Sequence, residues 1–81
     1  MSDANMQELV EYIARSLVDD PSQVQVTEVE GASMIVYELR VAPEDMGRVI
    51  GKKGRVANAM RTLLRVVSAR QKKAATLEIV S

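Results

Sequence analysis

The densest chemistry in the 81-residue chain lies in Gly47-Arg48-Val49-Ile50-Gly51-Lys52-Lys53-Gly54-Arg55. Two glycines bracket two lysines. A glycine takes positive φ freely, and without a Cβ it lets another chain lie close against its backbone. Lys52, Lys53 and Arg55 put positive charge at the same point. A helix starting just after the loop would aim its unpaired N–H groups and the positive end of its dipole there too. Each of these features favours a phosphodiester backbone. The candidate contact residues are therefore Gly51, Lys52, Lys53, Gly54 and Arg55, with Ile50 before the loop and Arg48 bracketing it. Arg48 has a competing role, because Glu44 lies four residues earlier, at ion-pair spacing on a helix. Val49 and Val56 flank the loop, and core packing suits Val56 better.

Other chemistries fit less well. A nucleotide-binding P-loop needs four residues between its glycines and a Ser or Thr after its lysine. Gly47 and Gly51 are separated by three residues, and Lys53 stands where the hydroxyl should be. Gly47-x-x-x-Gly51 mimics a membrane dimer motif, but no apolar run approaches the roughly 20 residues that span a bilayer. The adjacent acids Asp19-Asp20 and Glu44-Asp45 suit helix ends better than acid–base catalysis. The chain has no His and no Cys. That removes the imidazole base, the thiol nucleophile, zinc–thiolate sites and disulfides. We expect no enzyme activity, no metal and no cofactor.

Charge is the second signal. Eleven basic and eleven acidic residues give a formal net charge of zero, but they are sorted along the chain. Residues 1–45 hold Arg15 and Arg40 against ten carboxylates, a net of −8. Residues 46–81 hold nine cations against Glu78 alone, a net of +8. Such asymmetry is a cue for a polyanion-binding surface, although two solvated faces of opposite sign would read the same way. Arg61, Arg65, Arg70, Lys72 and Lys73 extend the basic half. Phe and Trp are absent, which argues against the aromatic stacking platforms of RRM and OB modules. The first eight residues lack the basic start of a secretory signal, and a fold without disulfides is compatible with the cytoplasm.

The elements that must position the loop follow from periodicity. Met6, Leu9, Val10, Ile13, Ala14, Leu17 and Val18 recur at helical spacing, with Ser2, Asp3 and Asn5 as candidate caps and Asp20-Pro21 as the stop. Val24 and Val26 alternate as a strand, and Val29, out of phase, predicts a bulge. Ile35, Tyr37, Leu39 and Val41 form one face of a second strand, with Met34, Val36, Glu38 and Arg40 on the other. Glu30-Gly31-Ala32-Ser33 is the hairpin loop between them. Pro43 opens a short helix to about Ile50, and a second runs from about Arg55 to Ala69 with Val56, Met60, Leu63, Leu64 and Val67 as its apolar stripe. Arg61, Arg65 and Lys72 lie opposite that stripe. Ala75, Leu77 and Ile79 mark a third strand. The order αββααβ predicts one α+β domain over residues 1–81. It is a two-layer sandwich with three helices on one face of a three-stranded mixed sheet. The first two strands should pair antiparallel. The last two should be parallel neighbours joined by a right-handed crossover.

Val49-Ile50-Gly51-Lys52-Lys53-Gly54-Arg55 between two helices resembles the IGxxG core of KH domains, whose loop clamps about four nucleotides. The element order resembles the type II, prokaryotic form. With the following Arg-bearing helix, the whole chain is similar to the small bacterial stand-alone KH proteins of the KhpA/YlqC type. The resemblance implies single-stranded RNA as ligand, with Gly51 and Gly54 as motif glycines, Lys52 and Lys53 at the variable positions and Ile50 at an apolar groove. It implies a cytoplasmic RNA chaperone or post-transcriptional regulator. It also implies a homodimer, or a heterodimer with a larger bacterial KH protein of the KhpB/Jag/EloR type. An alternative main role is that of a protein-interaction module, for which Met34, Val36 and Val80 on the uncovered sheet face are the candidate surface.

Overall fold

Helical spacing of apolar residues folds the first segment into α1 (Ala4–Leu17), and the chain leaves it before Asp20-Pro21, as proline requires. The computed structural model describes residues 4–71 and 73–80. The candidate caps Ser2 and Asp3 lie outside the described residues, as does the side chain of Asn5. The alternating segments form β1 (Gln25–Glu30) and β2 (Met34–Arg40), joined by Gly31-Ala32-Ser33. Pro43 starts a 3-10 turn that runs into α2 (Met46–Ile50). A second such turn, Lys52–Gly54, leads into α3 (Arg55–Ser68), and β3 (Ala74–Ile79) ends the fold. The sheet order is β1-β2-β3, with β1 antiparallel and β3 parallel to the central β2. Three helices and a mixed three-stranded sheet form the α+β fold expected of a type II KH domain.

The core lies between the helices and one sheet face. Met6, Val10 and Ala14 from α1 meet Tyr37 and Leu39 from β2, Met60 and Leu64 from α3, and Ala75 and Leu77 from β3. Each large side chain buried there contributes about 1.5–3 kcal/mol. Two details depart from the periodicity. The β1–β2 ladder is unbroken from Gln25↔Arg40 to Glu30↔Ile35, so Val29 marks no bulge. Val29 sits on the open face opposite Val36, and the core-side position before it is Glu28, which accepts a hydrogen bond from the Tyr37 hydroxyl at 3.1 Å. On α3 the fully buried positions are Ala57, Met60, Leu64 and Ser68, whereas Val56 and Val67 are half-buried and Leu63 is exposed. The small residues let the helix sit close to the sheet. The Ser68 hydroxyl accepts the Ala75 N–H at 3.2 Å where the chain turns into β3.

Both sheet edges are tied to helices. The bonds Gly31 N–H to Met34 O and Val80 N–H to Leu39 O fix the ladder phase, which turns the carbonyls of Val26 and Leu77 outward. Gln7 of α1 donates Nε2–H to Val26 O at 2.9 Å, and Arg61 of α3 donates Nε–H to Leu77 O at 3.0 Å. Each bond occupies an acceptor that an added strand would use. The buried Asp45 accepts the N–H groups of Asp19 and Asp20, both at 3.1 Å, which fastens the end of α1 to the start of α2. Among the described residues, no helix is long and apolar enough to cross a membrane.

Candidate nucleic-acid interface

Gly51 ends α2 at φ +78°, and Gly54 precedes α3 at φ +76°. Both values fall where a Cβ is disfavoured. At Gly51 the packing also forbids one: a Cβ would collide with Val56 Cγ2 and come within 2.7 Å of the Val56 nitrogen. Between them Lys53 takes a left-handed conformation, φ 60° and ψ 24°. The loop thus folds tightly enough to join two helices across four residues. No side-chain hydrogen bond caps the start of α3, where the helix dipole is positive, and the Arg55 N–H is spent on Lys52 O in the preceding turn.

Lys52, Lys53 and Arg55 are exposed, and among the described residues none has an ionic partner. The other cations are differently placed. Arg48 pairs with Asp19 at 3.0 Å and with the buried Asp45 at 3.5 Å, and not with Glu44. Its side chain stays 53% exposed. Arg61 does not stand free opposite the core stripe: it bonds Leu77 O and, through Nη1 at 2.9 Å, the Asn58 Oδ1. Lys73 Nζ bridges Glu30 Oε2 at 2.6 Å and Gly31 O at 2.8 Å. That hydrogen bond, reinforced by the ammonium charge, holds the Glu30 carboxyl below its ordinary pKa. Hydrogen bonds from Ser22 and Gln23 do the same for Asp20. Arg65 and Arg70 are exposed, and Lys72 lies outside the described residues.

Beside the loop runs an apolar groove of about 360 Å³. Ile13 and Leu17 of α1 form one wall, and Arg55, Val56, Ala59, Met60 and Leu63 of α3 form the other. Val56 packs on the core and also lines the groove, so it belongs to both. Val49 is wholly buried in the core. Ile50 does not line this groove; it ends α2 with 37% of its surface exposed. Of the candidate contact residues only Arg55 lines the groove; Gly51–Gly54 lead directly into its α3 wall, and Ile50 and Arg48 do not line it. The groove walls were not evident in the sequence as a site. Their signal was the width of the apolar faces: Leu17 and Leu63 extend stripes that already hold enough residues to fill the core.

A family model described as "KhpA/KhpB, KH domain" matches residues 7–79. The chain is 52% identical over 75 residues to the RNA-binding protein KhpA of Clostridium acetobutylicum, covering 93% of this chain and all of that protein. It is 45% identical to the protein of that name from Aquifex aeolicus, over 93% and 95% of the two chains. The protein of the same name from Treponema pallidum is 49% identical over 91% and 92%. No solved structure matches the chain.

Proposed function

The chain belongs to the KhpA/KhpB KH-domain family, and from that premise we propose that it binds single-stranded RNA along the Gly51–Gly54 loop. One observation carries this reading. Three cations with no ionic partner among the described residues stand on a loop where Gly54 leaves the backbone open to a close approach, at a helix start with no side-chain cap and beside an apolar groove. The sugar–phosphate chain runs over Gly51, Lys52, Lys53, Gly54 and Arg55, and bases turn into the groove between α1 and α3. Ile50 and Arg48 are outer contacts. Arg48 reaches RNA by exchanging Asp19 for a phosphate.

The chain acts as one KH unit, in the cytoplasm, as an RNA chaperone or post-transcriptional regulator. It is a binding module rather than an enzyme, and it needs no metal or cofactor. The Lys52→Asp, Lys53→Asp double variant tests the site. Both side chains are exposed on the loop, so the circular dichroism should be unchanged while affinity for a ten-nucleotide single-stranded RNA falls by at least an order of magnitude. Unchanged affinity in a folded variant would refute the assignment.

A second reading concerns partners. Val29 and Met34 are 45% and 44% exposed on the sheet face that no helix covers, next to Val36. We read this patch as the contact for a second copy or for a larger bacterial KH protein. A single KH unit holds few nucleotides, so joining a second one raises avidity through effective concentration. Sedimentation at micromolar concentration should then show a mass above the 8.9 kDa of one chain. A monomer both alone and mixed with such a KH protein would eliminate this reading.

A further inference from the structure

Asn58 is exposed on the first turn of α3, where its amide could face either way. Arg61 settles the orientation. Its Nε is anchored on Leu77 O, the outward carbonyl of β3, and this fixes the plane of the guanidinium. Its Nη1 then lies 2.9 Å from the Asn58 side chain. A guanidinium carries only donors, so it must meet the amide oxygen. The NH₂ group is thereby turned the other way, toward the loop: the site a Cβ would take on Gly54 lies 3.7 Å from Nδ2. Among the described residues, no acceptor meets those amide hydrogens.

Asn is a poor helix former, and an exposed first-turn position has no packing need for it. A side chain serving only to hold Arg61 would need an oxygen alone. Here the second half of the amide is aimed at Gly54, where the backbone carries no side chain. We infer that Asn58 Nδ2 donates a hydrogen bond to a phosphate oxygen of the RNA strand lying on Gly54, and that Arg61 is the positioning residue that presents it. The inference rests on the reading of the Gly51–Gly54 loop as the RNA contact. It adds a neutral donor to the cations and backbone that would meet the phosphates of that site.

A neutral donor and a cation leave different traces in salt. Removing a lysine that neutralises a phosphate makes the log–log salt slope shallower by about 0.7 on a single strand. Removing Asn58 should leave the slope unchanged and lower affinity by about three- to tenfold at every salt concentration. Arg61→Lys keeps the charge but cannot hold Leu77 O and the amide together, so it should lose a similar factor. Combined with Asn58→Ala it should add little, as for two residues acting through one contact. The test titrates the full chain with a ten-nucleotide single-stranded RNA, following the Asn58 side-chain amide pair by NMR in the unaltered protein and affinity in the variants. A shifted amide pair, with a slope-neutral loss in Asn58→Ala, supports the inference. An unmoved pair and full affinity in Asn58→Ala, while the Lys52, Lys53 double variant fails to bind, overturns it and leaves the loop reading intact. Full binding by the double variant overturns both.

Discussion

Lys53 is the residue at which stability and binding pull apart. Its φ of 60° places an L-residue in the left-handed region, at a cost of about 1–2 kcal/mol. Glycine occupies the positions on either side of the lysine pair, so glycine at 53 would make a loop with less strain and less charge. Under the proposed RNA contact, the lysine keeps a positive charge at the loop at the cost of that strain. Two variants separate the terms. Lys53→Ala and Lys53→Gly remove the same charge and should weaken RNA binding equally. Only Lys53→Gly relieves the backbone, so it should unfold at higher urea than Lys53→Ala, by about 1 kcal/mol in stability. Equal stability of the two would mean that Lys53 does not hold positive φ in solution.

At the scale of elements, whatever depends on local repetition was legible in the sequence. The helices, the hairpin and the break at Gly51–Gly54 follow from spacing and punctuation within a few residues, and the parallel pairing of β2 with β3 follows from the long two-helix crossover between them. What escaped depends on elements distant in sequence. Arg48 has a carboxylate four residues away, yet it pairs with Asp19, because Asp45 draws the end of α1 against the start of α2. The groove escaped because Ile13 and Leu17 meet Val56 and Leu63 only after the sheet has brought α1 beside α3. The stripe on α3 holds for Met60, Leu64, Val56 and Val67, but Leu63 is exposed and the small residues Ala57 and Ser68 are buried, because periodicity weighs large residues over small ones. Val29 looked out of phase because the sequence does not show that Glu28 can face the core side and still be satisfied by Tyr37. The sequence places Arg61 and Lys73 in the basic half without showing that they bond Leu77 O and Glu30.

For the whole molecule, the zero net charge conceals a division of labour among the cations. The acidic and basic halves are stitched together by Arg48 with Asp19 and by Lys73 with Glu30, and Arg61 is committed to the edge of β3. These contacts offset part of the positive charge of the second half, although the two ion pairs are exposed and add little to stability. Among the described residues the loop cations Lys52, Lys53 and Arg55 have no ion pair, and neither have the exposed Arg65 and Arg70 of the segment that follows, so attraction for a polyanion lies on the second half and is opposed elsewhere by acidic surface. This distribution sets how binding responds to salt. The three loop cations should give a log–log slope near −2 on single-stranded RNA, and about −3 where Arg48 also exchanges Asp19 for a phosphate, measured between about 50 and 200 mM salt. Were all nine cations of the second half engaged, the slope would be near −6, and the ion pairs seen here would have to open on binding. A flat profile would remove the loop cations from the contact altogether and move the main role of the chain to its uncovered sheet face. The intermediate value alone fits a site in which geometry limits how much of the basic half reaches the strand.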